Sequence, residues 1–163
     1  MTNDIIFEDK SGLGIITLNR PEVLNALSIE MCIALDNKLT VWEKDNSIQA
    51  IIIKSSGGKA FCAGGDVRAI VEQGYKNNFA GKHFFAAEYK MNARIFHFPK
   101  PFIALLDGIT MGGGVGVAIH GSHRIITEKT NCIYFICERR ESIYVPVSYI
   151  PKRFCGLFSS TSE

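Results

Sequence analysis

The 163 residues are 47% hydrophobic and 21% charged with a net charge of +2, a balance that suits one soluble domain with an ordinary core. No basic run exceeds a pair such as Arg139-Arg140, so neither nucleic acid nor an anionic membrane is an expected partner. The start, Met1-Thr2-Asn3-Asp4, has no signal or transit pattern and no apolar run is long enough to span a bilayer, so the expected compartment is cytoplasmic.

Along the chain, Ile5 to Phe7 and Ile15 to Leu18 are β-rich runs separated by Ser11-Gly12-Leu13-Gly14, which predicts a hairpin. Pro21 ends the second run. Ser28 can cap a helix in which Cys32, Leu35, Leu39 and Trp42 step by three, four and three residues, so one stripe faces a core. Ile48 to Ile53 is a nearly continuous β-branched run, as in a strand buried on both faces. After the loop Ser55-Ser56-Gly57-Gly58-Lys59 comes Ala60-Phe61-Cys62-Ala63-Gly64-Gly65-Asp66, and Asp66 can open a helix through Val71. Phe84, Ala87, Met91 and Ile95 mark one face of another helix, closed by Pro99 and Pro101. Phe102 to Leu106 is strand-like; a glycine-rich loop, an apolar helix start and a short strand at Arg124 to Thr127 follow. Strands alternating with helices predict an α/β layered domain without internal repeats.

The five cysteines, at 32, 62, 132, 137 and 155, are odd in number and form no C-x-x-C pair, which argues against a disulfide framework and a zinc site. His83, His97, His120 and His123 have no H-x-x-x-H spacing, so no metal is expected.

Glycines concentrate at Gly64-Gly65-Asp66 and Gly112-Gly113-Gly114, each after a strand and before a helix. Such loops either close a tight turn or let an anionic group approach bare backbone N–H donors at a helix start. No lysine follows Gly112 to Gly116, which excludes a P-loop, and the spacing there does not give G-x-G-x-x-G.

Four segments then carry a resemblance: Ile16-Thr17-Leu18-Asn19-Arg20-Pro21, Asn25-Ala26-Leu27, Lys59 to Asp66, and Gly108 to Gly116. Their order and spacing resemble those of the enoyl-CoA hydratase/isomerase (crotonase) superfamily from about Ile5 to Thr130. Phe61 to Asp66 and Gly108 to Gly116 are particularly similar to its 3-hydroxyisobutyryl-CoA hydrolase branch, an activity of valine degradation. The resemblance implies an α/β, crotonase-like ββα spiral fold, here truncated, and an acyl-CoA substrate with no cofactor beyond the CoA that the substrate itself carries. It further implies that the Gly65 and Gly113 N–H groups form an oxyanion hole, and that Ala63, Gly64 and Asp66 lie along the pantetheine arm. Glu88 matches a glutamate that contacts the acyl group, while on the residues alone it reads equally as a solvated helix carboxylate. Gly116 stands where a hydratase carries one of its two catalytic glutamates, which disfavours hydration.

The resemblance divides the chain into residues 1–130 and an off-family tail, 131–163. The family pattern continues with a Met-Pro-Glu-Thr-Gly type motif supplying an essential glutamate and aspartate, whereas this chain reads Asn131-Cys132-Ile133-Tyr134-Phe135-Ile136-Cys137-Glu138. Read from the third base of each codon from Ile136, the tail can spell Met-x-Glu-Thr-Gly-Ile-x-Leu-x-Pro-x-Val, the expectation being a frameshift near Thr130. The competing reading is a genuine C-terminal element with strands near Ile133 to Ile136 and Tyr144 to Ile150. Whether the chain is an enzyme stays open between an impaired acyl-CoA thioester hydrolase, a non-catalytic CoA-binding or partner-dependent fragment, and a product without function. The partners expected are an acyl-CoA, a second copy, or a separately encoded C-terminal half covering exposed apolar faces.

Overall fold

A computed structural model describes residues 3–75 and 79–133. The chain begins with the expected hairpin, β1 (Ile5–Lys10) antiparallel to β2 (Leu13–Leu18). Its two-residue turn takes left-handed φ values of 51° at Ser11 and 82° at Gly12, the geometry whose twist matches that of paired strands.

A 3-10 turn at Pro21–Val23 leads to α1 (Ile29–Lys44), where Ser28 Oγ accepts the Met31 N–H at 3.2 Å. The expected stripe of Cys32, Leu35, Leu39 and Trp42 is buried. Trp42 stacks over the sheet at Gly14 and Ile51, and its indole donates to Asp9 Oδ1 at 2.8 Å. An added Cβ at Gly14 would lie 2.8 Å from Ile51 and 2.9 Å from Trp42, so the indole reaches the sheet only because residue 14 has no side chain.

Three more strands extend the hairpin in parallel: β3 (Ala50–Ser55), β5 (Phe102–Leu106) and the edge strand β7 (His123–Ile126), in the order β1-β2-β3-β5-β7. The expectation that the run at Ile48 to Ile53 is buried on both faces is corrected. Ile51 and Ile53 are fully buried, but Ile52 pairs with Ile15 and Ile103 in a row on the opposite face that is only half covered among the described residues.

A second, parallel sheet of three-residue strands stands beside the first: β4 (Ala60–Cys62), β6 (Ile109–Met111) and β8 (Asn131–Ile133), in the order β4-β6-β8. The sequence places β4 and β6 inside loops, because three residues are too short to show a period. β8 uses the first three residues assigned to the tail; the remainder of the tail, with the expected strands, lies outside the described residues.

Three helices complete the layer: α2 (Val67–Gly74), α3 (Ala80–Phe96) and α4 (Gly113–Ile119). α3 packs on α1, with Asp36 buried between them, taking the Lys90 ammonium at 2.9 Å and the Arg94 guanidinium. Burial raises the Asp36 carboxyl, but the hydrogen bonds and charges of Arg94 and Lys90 outweigh it and hold the group below the ordinary carboxylate range.

Candidate active site

The two glycine turns meet. β4 runs into Gly64, whose φ of 103° suits only glycine, and an added Cβ there would stand 3.5 Å from the Gly113 nitrogen. At Gly112 an added Cβ would stand 3.4 Å from the Gly64 Cα, so the turns touch backbone to backbone. Gly114 presses α4 onto β4, since a side chain would overlap the Cys62 carbonyl.

Leu27 locks the first turn by pairing with Gly65: its N–H donates to the Gly64 carbonyl at 2.8 Å and its carbonyl accepts the Asp66 N–H at 2.9 Å. These bonds leave the Gly65 N–H out of the pairing. Gly113 is the first residue of α4, where an N–H has no acceptor within its own helix. Both amides therefore come from the two turns that touch, and neither is consumed by the bonds that hold those turns.

Residues from the motif before α1 secure this arrangement. Asn25, buried at a left-handed φ of 56°, accepts the Arg20 N–H at 2.9 Å and donates to the Ser56 and Ala60 carbonyls at 3.0 and 2.9 Å. Arg20 donates to the Ala26 carbonyl at 2.9 Å and pairs with Asp66 at 2.9 Å. Asp66 also caps α2 by accepting the Ala69 N–H at 3.0 Å, so its carboxylate is engaged in holding the turn. Ala63 is half-buried and donates to the Leu24 carbonyl at 3.0 Å. Beside Gly65, a cleft with about 550 Å³ of empty space is lined by Arg20, Leu27, Ser28, Asp66, Ile70 and Phe84.

Glu88 is not a solvated helix carboxylate. It is 6% exposed, and its Oε1 occupies the space into which a Gly113 side chain would point. Burial pushes its carboxyl above the usual range. Cys32 and Cys62 lie close enough to feel its charge: burial first, then Glu88 and Cys62, raise the Cys32 thiol to about 12, and burial foremost raises Cys62 to about 12. Both thiols stay protonated at neutral pH and are poor nucleophiles.

One turn beyond Glu88, Asn92 occupies the corresponding space at Gly116, where an added Cβ would meet its Nδ2 at 2.7 Å. The sequence reading does not single it out. The available signal is its i+4 spacing from Glu88, beside the Met91 and Ile95 stripe. Asn92 Oδ1 and Thr110 Oγ1 are buried without a hydrogen-bond partner among the described residues. Among those residues no group of three metal-ligating side chains occurs, and no helix is long and apolar enough to cross a membrane.

Residues 13–133 match the family described as enoyl-CoA hydratase/isomerase. The chain is 48% identical over 128 residues to the mitochondrial 3-hydroxyisobutyryl-CoA hydrolase of Danio rerio, covering 78% of this chain and 34% of that protein. To the protein of that name from Homo sapiens it is 43% identical over 144 residues, covering 88% and 37%. The chain thus spans about one third of the length of the curated relatives it matches. Among solved structures, an enoyl-CoA hydratase from Rhodobacter sphaeroides superposes with a TM-score of 0.77 at 40% identity, covering 80% of this chain and 39% of that one. A carnitinyl-CoA dehydratase from Mycobacterium thermoresistibile gives 0.79 at 37% identity, covering 82% and 39%.

The expected cytoplasmic location is overturned by these relatives, whose names place them in mitochondria. That expectation rested on a pattern missing from the first residues, and a missing pattern carries no address.

Proposed function

The chain belongs to the enoyl-CoA hydratase/isomerase family, a crotonase fold, and from that premise we propose that its site binds an acyl-CoA thioester of the 3-hydroxyisobutyryl type. The observation that carries this reading is the contact of the Gly64-Gly65 and Gly112-Gly113 turns with the Glu88 carboxyl buried against Gly113. Gly65 and Gly113 N–H groups donate to the thioester oxygen, and each such donor is worth about 3 kcal/mol once charge gathers there. Glu88, whose carboxyl burial raises above the usual range, lies against Gly113 and therefore beside that oxygen. Ala63, Gly64 and the Asp66 backbone line the path of the pantetheine arm.

Hydrolysis suits the site better than hydration. At Gly116 the neighbouring group is the Asn92 amide, which neither gives nor takes a proton at neutral pH. The names of the curated relatives support the hydrolase reading, and with it a part in valine breakdown.

Chemistry at full rate needs a base to activate water. The residues after Ile133 carry no Pro-Glu-Thr-Gly motif, and the Asp66 carboxylate in the first turn is engaged by Arg20 and the Ala69 N–H. These 163 residues therefore bind acyl-CoA and, alone, hydrolyse it close to background. Calorimetry with isobutyryl-CoA and a thiol-release assay on 3-hydroxyisobutyryl-CoA test both halves. Failure to bind any acyl-CoA refutes the site; turnover at ordinary enzyme rates refutes the impairment.

A second reading, a fragment completed by a separately encoded C-terminal half, is favoured by the half-covered Ile15-Ile52-Ile103 row and by Ile125 and Ile126 exposed on β7. Gel filtration with and without the missing portion of a curated relative tests it. Sequencing the coding DNA across Thr130 tests the frameshift: a shifted frame that does not continue a crotonase domain removes it.

A further inference from the structure

Gly113 and Gly116 lie three residues apart on one face of α4, separated by about 4.5 Å along the axis. Glu88 and Asn92 lie four apart on α3 and meet those two glycines in turn, Glu88 at Gly113 and Asn92 at Gly116. The surroundings are otherwise apolar: Met91, Ile95 and Val117 are fully or almost fully buried. An asparagine that is 9% exposed with an unpartnered Oδ1 is a poor choice for packing alone, because an apolar residue of the same shape would avoid stranding an acceptor. Having no side chain, Gly116 lets the amide settle against α4, its Nδ2, Cγ and Oδ1 all standing within 3.3 Å of where a Cβ would be.

We infer that Asn92 is a specificity-determining residue whose amide reads a hydroxyl on carbon 3 of the acyl chain, one helical turn inward from the oxygen-binding turns. This deepens the thioester reading above and rests on it. With the carbonyl at Gly113, the acyl chain runs along the seam between α3 and α4. A hydroxyl two carbons from the carbonyl carbon then falls within reach of residue 92, donating to Oδ1 or accepting from Nδ2. An acyl group without that hydroxyl leaves the amide unanswered, and this is how the site tells the two apart.

Calorimetric titration of the full chain with 3-hydroxyisobutyryl-CoA and with isobutyryl-CoA measures the discrimination. The hydroxylated ester is expected to bind about tenfold tighter, and Asn92→Leu to bring the ratio to about one. Independently of any variant, the Asn92 side-chain amide signals in a nitrogen-15 spectrum should shift with the hydroxylated ester and stay put with isobutyryl-CoA. Equal binding of both esters by the unmodified chain, amide signals blind to the hydroxyl, or a ratio that survives in a folded N92L, each overturns the inference while the thioester reading stands. Binding of neither ester sinks both.

Discussion

The two sheets of this molecule are built on opposite terms. The five-stranded sheet with α1 is held by bulky apolar side chains meeting face to face, with Trp42, Leu39, Ile51 and Ile53 fully buried. The three-stranded sheet with α4 is held by backbone against backbone at Gly64, Gly112 and Gly114, and around it lie the buried acid Glu88 and two buried polar atoms without partners. The first region resembles a foundation, in which apolar side chains fill the interior against one another. The second keeps donors and acceptors unspent, which destabilises it locally and leaves them for a ligand.

If that contrast is right, damage to the first region should cost stability and damage to the second should cost binding. The largest effect is expected for Trp42→Ala, which empties the contact over Gly14 and Ile51 and removes the indole donor to Asp9. Chemical denaturation should show a loss of about 3–5 kcal/mol. Next comes Gly114→Ala, whose methyl group meets the immovable Cys62 carbonyl. Strain of about 1–3 kcal/mol is expected, and isobutyryl-CoA affinity should fall at least tenfold as the turns separate. A G114A chain that binds as before would break the comparison. Ser28→Ala, which removes the α1 cap, should cost about 1 kcal/mol in the same denaturation measurement.

The smallest and most pointed test is Glu88→Gln. Because burial raises the Glu88 carboxyl, the folded chain holds that proton more tightly than the unfolded one. The unmodified protein therefore has its full Glu88 contribution below pH 4.5, the ordinary glutamate value, and loses it as pH rises through the raised value. Glutamine does not titrate, so the melting temperature of E88Q relative to the unmodified chain should climb between pH 4 and pH 7. A difference that stays flat would mean the acid is not buried in solution.

What the sequence reveals follows from how local each cause is. The Ser28 cap, the α1 stripe and the β5 bounds are legible because a few neighbouring residues decide them. The strands β4 and β6 are not, since each is fixed by pairing with the other across nearly fifty residues of chain. Ile52 looks like its buried neighbours Ile51 and Ile53, yet what packs on its face is decided elsewhere. The glycine turns were visible as turns, and the resemblance supplied the expectation that Gly65 and Gly113 act together. The burial of Glu88 was not legible, because a helix carboxylate reads alike whether water or another helix faces it. Asn92 escaped for the same reason: its meaning comes from Gly116, on a different helix.

Asn25 carries a liability of its own. Its side-chain nitrogen bridges two carbonyl oxygens, at Ser56 and Ala60, inside the fold. Spontaneous deamidation would replace that nitrogen with an oxygen, turning two attractions into two repulsions and lodging a charge where water cannot reach it. That single exchange would unlatch the loop that braces Gly65, so the ligand site depends on one amide that never touches the ligand.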